Sequence, residues 1–144
     1  MKLAVLDTNV IVAGGINPDG PPAKLVLDWV LRGQLAVVTG PWIVEEYRTV
    51  VRRGKFAAYG FPPLWLEPLI DATLHLPDPE PWPYSLPDPK DAVFLALASF
   101  SGAWLVTGNL KHFPEKSRRG VTVLSPAAYL AQLITGGKEP QSAR

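Results

Sequence analysis

The stretch Met1-Lys-Leu-Ala-Val-Leu-Asp-Thr-Asn-Val10 decides how the rest of the chain is read. Leu3, Ala4, Val5 and Leu6 form a short, continuously apolar run, the pattern of a strand buried on both faces. The run stops abruptly at Asp7, Thr8 and Asn9. In open parallel sheets ligands bind beyond the carboxyl ends of the strands. A carboxylate at position 7 is therefore either placed for chemistry or merely part of a polar turn, and the residues further along weigh between the two.

Working outward, Gly14 to Pro22 reads as a glycine- and proline-rich loop. Leu25, Val26, Trp29 and Val30 then recur at helical spacing, with Gly33 as the stop, and Leu35 to Val38 is a second apolar strand. Strand, helix and strand at this spacing predict a right-handed parallel crossover. Pro41 opens a helix running to about Arg53, since proline suits the first helical position. A third helix is expected over 64–74, interrupted early by Pro68, and the prolines at 77, 79, 81, 83 and 87 mark an extended connection. Asp88 starts a helix apolar almost all round, closed by Gly102 and expected to be buried against the sheet. Strands over 104–107 and 121–124 and a helix over 126–134 complete an α/β domain of residues 1–135, with 136–144 as a mobile polar tail.

Composition narrows the chemistry. The chain has 144 residues, 47% hydrophobic and 19% charged, which suits one globular domain. Its apolar runs are too short to span a membrane, and strand-like sequence directly after Met1 leaves no room for a signal peptide, so a soluble, cytoplasmic protein is expected. With no cysteine and only His75 and His112, any metal must be held mainly by oxygen, which favours magnesium or manganese. The net charge of +1 indicates no particular partner.

Each acidic candidate has a plain structural explanation beside the functional one. Glu45 and Glu46 are adjacent, but helix geometry puts Glu46 in line with Ile43 and Val50, so Glu46 is the one expected to turn inward. Asp88-Pro89-Lys90-Asp91 fits a capped helix start, yet the same spacing projects both carboxylates from one helix end. Asn109 follows strand 104–107 as Asp7 follows the first strand, although asparagine is also an ordinary turn residue. His112 reads more simply as a surface or internally satisfied histidine than as a ligand. Arg52, Arg53, Lys55, Lys111, Lys116, Arg118 and Arg119 could meet phosphates or simply face water. Jointly, Asp7, Glu46, Asp91 and the polar residues after Thr107 fall near strand ends or helix starts of one domain, which is what an oxygen-rich magnesium site needs.

The motifs Leu6-Asp-Thr-Asn-Val10, Glu45-Glu-Tyr47, Asp88-Pro-Lys-Asp-Ala-Val-Phe-Leu-Ala-Leu-Ala98 and Leu105-Val-Thr-Gly-Asn109 occur in the order seen in PIN-domain nucleases, and Val123-Leu-Ser-Pro-Ala127 fits the same pattern. The chain resembles the VapC-related toxins of bacterial and archaeal toxin–antitoxin pairs, over residues 1 to about 133. The resemblance implies a three-layer α/β/α domain around a parallel sheet of about five strands. It also implies Mg2+- or Mn2+-dependent hydrolysis of RNA phosphodiesters, with Asp7, Glu46 and Asp91 as the central catalytic acids and metal ligands. Asp88 matches an additional acid of this branch. Thr107 and Asn109 match polar positions finishing the pocket, with aspartate in many relatives where Asn109 stands. Thr8, Asn9, Thr107, Arg52, Arg53 and Lys111 become candidate substrate-binding residues, and a homodimer and a cognate antitoxin become the expected partners. Two rivals stand beside this reading. One is a PIN-fold module that binds nucleic acid or protein without catalysis. The other is a phosphotransferase with Asp7 as nucleophile, for which Asn9 stands where a second aspartate is required.

Overall fold

In the computed structural model, residues 2–135 are described. Five parallel strands make up the sheet: β1 (Lys2–Leu6), β2 (Leu35–Thr39), β3 (Leu74–His75), β4 (Trp104–Val106) and β5 (Val123–Leu124), in the order β3-β2-β1-β4-β5. The expected tail over 136–144 lies outside the described residues. Register is set by Leu3 opposite Ala36 and Val5 opposite Leu105. Ala4, Val5 and Leu6 are consecutive and all fully buried. Side chains alternate between the faces of a strand, so three buried in a row require helices on both faces. That is the three-layer arrangement the resemblance implied.

The helices are α1 (Thr8–Ile16), α2 (Pro21–Lys24), α3 (Pro41–Val51), α4 (Leu66–Ala72), α5 (Ala92–Ser101), α6 (Glu115–Arg118) and α7 (Pro126–Ile134), and α2 runs on into a π-helical segment over Leu25–Val30. The apolar helix read from Asp88 is α5, preceded by a 3-10 turn at Pro89–Asp91 and stopped by Gly102 in the left-handed region at φ 76°. It lies against β1, β2 and β4, and Phe94, Leu95, Leu97 and Ala98 join the core.

Three expectations are corrected. Gly14, Gly15 and Ile16 are not loop but the last turn of α1, a helix not anticipated there. Its buried side, Val10 and Ile11, supplies the packing that outweighs glycine's poor helix propensity, and Gly14 is itself useful because a Cβ there would stand 3.3 Å from the Trp65 ring. Pro68 does not interrupt α4, because it sits in the first turn, where the missing N–H has no partner to lose. Leu74, expected as the end of that helix, and His75 after it pair with Val38 and Thr39 as edge strand β3. As anticipated, residues 76–88 form no helix or strand.

The strand order creates a break in direction. The chain steps outward from β1 to β2 to β3, then returns across the sheet to place β4 on the other side of β1. The carboxyl ends of β1 and β4 are therefore neighbours from which the chain departs in opposite directions, the crevice position in an open α/β sheet.

Candidate active site at the carboxyl edge of β1 and β4

Asp7 follows β1 at this crevice, and its backbone N–H donates to Val106 O at 2.9 Å. The side chain is 5% exposed, and its Oδ2 accepts from Thr107 Oγ1 at 2.8 Å and from Asn9 Nδ2 at 3.1 Å. Asn9 is fixed in turn, because its Oδ1 accepts from the Gly108 N–H at 2.8 Å. A Cβ at Gly108 would stand 3.2 Å from that oxygen, so glycine lets the two loops meet. Thr107 Oγ1 also accepts from the Asn109 N–H at 3.0 Å. Below this layer the Tyr47 hydroxyl on α3 donates to Leu6 O, pinning the helix to the end of β1.

Burial pushes the Asp7 carboxyl above its usual range, and the Thr107 hydroxyl and the Thr8 and Asn9 amides offset this only in part. Burial also raises Tyr47, and the nearby Asp7 charge adds to the effect. Asp91 projects from the N-terminal end of α5 with a side chain only 14% exposed. It is raised to about 6, by burial first and then by the charges of Asp7 and Asp88. His112 opposes that shift. Its Nδ1 stands 3.1 Å from Asp91 Oδ2, but without hydrogen-bond alignment, so the buried oxygen has no hydrogen-bond donor. Asp88 closes the 3-10 turn, its Oδ1 accepting from the Lys90 N–H at 3.0 Å. The capping reading of Asp88 therefore holds, while Asp91 is turned toward Asp7.

The structure thus brings together Asp7, Asn9, Thr107, Asp88 and Asp91, and adds His112, for which the simpler reading was a surface role. The one cue in the sequence was its place shortly after the strand ending at Thr107. Thr8 is buried beside Asp7, and among the described residues its hydroxyl has no hydrogen-bond partner. Asn109 is half-buried at the start of the following turn. Glu46 is half-buried and Glu45 exposed, the order expected from helix geometry. Among the described residues, Glu46 enters none of the hydrogen bonds or ion pairs of this cluster. Arg52, Arg53 and Lys111 are exposed, and Arg52 is close enough to Glu67 on α4 to help lower that carboxyl.

Among the described residues, no three histidine or acidic side chains converge closely enough to enclose a metal by themselves. The donor chemistry nevertheless fits a hard divalent cation. Such an ion is commonly held by one or two carboxylates, with water and substrate phosphate completing its shell. Asp91, pushed up by burial and by the Asp7 and Asp88 charges, is a carboxyl whose ionised form a cation would favour.

Comparison with known proteins agrees with this architecture. A family model described as PIN domain matches residues 3–111. The crystal structure of PAE2754 from Pyrobaculum aerophilum superposes with a TM-score of 0.57 at 17% identity, covering 93% of this chain and 90% of that one. VapBC2 from Rickettsia felis, bound to a DNA fragment from their promoter, gives 0.57 at 13% identity over 85% of this chain and 98% of that one. FitAcB from Neisseria gonorrhoeae gives 0.55 at 18% identity over 86% and 98%. At these identities the likeness is one of fold. No curated protein sequence matches the chain.

Proposed function

The chain belongs to the PIN-domain family, and from that premise we propose that it is a Mg2+- or Mn2+-dependent endoribonuclease, the toxin of a toxin–antitoxin pair. The observation that carries the reading is the buried Asp7 at the crevice between β1 and β4, whose charge helps to push up the neighbouring Asp91 carboxyl. Two buried carboxyls that resist ionising together are costly to stability, and they are worth keeping where a cation or a proton transfer uses them.

In this reading Asp7, Glu46 and Asp91 hold the ion, with Asp88 and Asn109 in support. Bound there, a divalent ion supplies Lewis acidity toward the phosphate and lowers the pKa of the attacking water. The chain's own residues do the rest. Thr107 and Asn9 fix Asp7 Oδ2 in one direction, so the carboxylate needs no reorganisation when charge develops opposite it. His112, from the loop after β4, stands beside Asp91 and favours its ionised form. Thr8, on α1 beside Asp7, and Asn9 line the approach to the carboxylates, while Arg52, Arg53 and Lys111 steady the RNA backbone. Water adds to phosphorus as the bridging oxygen leaves with a proton.

An antitoxin protein is the proposed partner, a homodimer the proposed assembly and the cytoplasm the proposed location. Among the described residues, no helix is long and apolar enough to cross a membrane. The decisive experiment is cleavage of a labelled single-stranded RNA by purified protein with Mn2+, with EDTA, and by Asp7→Asn. Metal-dependent cleavage lost in both controls is the expected result. A folded protein that cuts no RNA and binds no Mn2+ by calorimetry would replace this reading with the non-catalytic binding module.

A further inference from the structure

Beside the acidic cluster, on the other side of the start of α5, lies an apolar cavity of about 460 Å3. Its walls are the indoles of Trp42 and Trp82 with Pro79 and Pro89, and its base is the small-residue face of α5 at Ala92 and Ala96. That volume falls in the roughly 300–1,000 Å3 range of sites that enclose small molecules. Both aromatic walls are held in place. Trp42 meets Phe94 edge-on with centroids 6.0 Å apart, and its backbone N–H donates to Asp78 Oδ1 at 3.3 Å. Trp82 Nε1 donates to Ser117 O at 3.0 Å, and Ser117 Oγ donates to Ser85 O at 2.6 Å. The proline-rich connection 76–88 is thus tied at one point to α3 and at another to α6, forming a fixed wall of the cavity.

We propose that this cavity is a subsite for one unpaired nucleobase of the RNA, stacked on the indole of Trp42. The inference rests on the nuclease reading above and locates where that substrate is gripped. Three observations favour a base over an aliphatic side chain. The cavity and the acidic cluster share the start of α5, since Pro89, Lys90, Ala92 and Val93 line the cavity while Asp88 and Asp91 alternate with them in the chain. An RNA bound at the carboxylates is thereby proposed to extend a neighbouring base around this turn. The rim carries Glu80 and Lys90, an acceptor and a cationic donor, which suits the mixed edge of a base and the phosphate beside it. Trp42 is 37% exposed, so a ring face is available for stacking.

The test uses the full chain in EDTA, where no cleavage occurs, and reads quenching of tryptophan fluorescence by a short single-stranded RNA. A second oligomer of equal length and charge carries abasic positions. The intact oligomer is expected to quench saturably, and the abasic one to bind about 5- to 100-fold more weakly, the range for loss of one stacked base. Trp42→Ala should weaken the intact oligomer by a similar factor and abolish the discrimination, whereas Trp42→Phe should preserve most of it. Equal binding of the two oligomers by the natural sequence overturns the subsite whether or not the alanine variant folds. Quenching by a proline-rich peptide but not by RNA overturns it in favour of a protein-docking groove. The two readings fail separately. Mn2+-dependent cleavage with an unchanged KM in Trp42→Ala would remove the subsite and leave the nuclease, while base-dependent binding without cleavage would remove the nuclease and leave the subsite.

Discussion

Replacing Asp91 by asparagine should make the metal-free protein more stable at neutral pH. Asp91 titrates at about 6 in the folded chain against its ordinary 3.8. The folded state therefore holds the extra proton across that interval, and stability present below the lower value is lost as pH rises through the upper one. A rise from 3.8 to about 6 corresponds to at most ~3 kcal/mol at pH 7.5. Solvent screening reduces that ceiling, and the N-terminal end of α5 favours the charge by roughly 0.5 kcal/mol. A gain of about 1–2 kcal/mol should remain for Asp91→Asn, or roughly 3–8 °C in Tm for a chain of this size. Asp7, also raised, acts in the same direction and stays in both proteins. The assay is thermal unfolding in EDTA from pH 4 to 8, read as the difference between the two proteins. That difference should be small at the acid end and grow through pH 6. Millimolar Mn2+ should reverse it at pH 7.5 by stabilising only the natural sequence. An Asp91→Asn protein no more stable than its parent at pH 7.5, or a difference independent of pH, would refute the reasoning.

Other expectations follow from single contacts. Thr107→Val keeps the shape but removes the hydroxyl on Asp7 Oδ2, and should cost about 1–2 kcal/mol in urea unfolding while raising the Asp7 pKa further by NMR titration. Tyr47→Phe removes the buried bond to Leu6 O and should cost about 1 kcal/mol, with faster exchange of amides at the end of β1. Gly40→Ala would put a Cβ 2.8 Å from Asp78 Oδ1 and 3.0 Å from Leu76 O. It should therefore lower stability by about 1–3 kcal/mol and loosen the 76–88 connection to limited proteolysis.

Most strands and the α5 helix were legible because continuous apolar runs and a proline-led, glycine-stopped segment have few other solutions. The missed α1 shows the opposite case. Gly14 and Gly15 argue locally against a helix, and only the packing of Val10, Ile11 and the Trp65 ring, which no local window contains, reverses that. The edge strand β3 has just two residues and two exposed side chains, so it carries no period to read. At the site, the positions of Asp7, Asp88 and Asp91 could be inferred from element ends, but the pairing of His112 with Asp91 joins residues far apart in sequence and depends on where the loop after β4 falls. Glu46 was correctly ranked over Glu45 by helix geometry, yet the ranking says nothing of how far α3 stands from Asp7.

The hydrogen bond from Thr107 to Asp7 spans 100 positions of the chain. During synthesis, Asp7 waits without its partner until a further 100 residues of the chain have been made. A chain stalled or cleaved before β4 docks therefore has neither the threonine nor the Gly108–Asn9 clasp, and its carboxylate stays solvated and undirected. On the proposed nuclease reading, activity would switch on only once β4 has docked, and the time available for a partner to intercept the enzyme would begin at completion of the sheet.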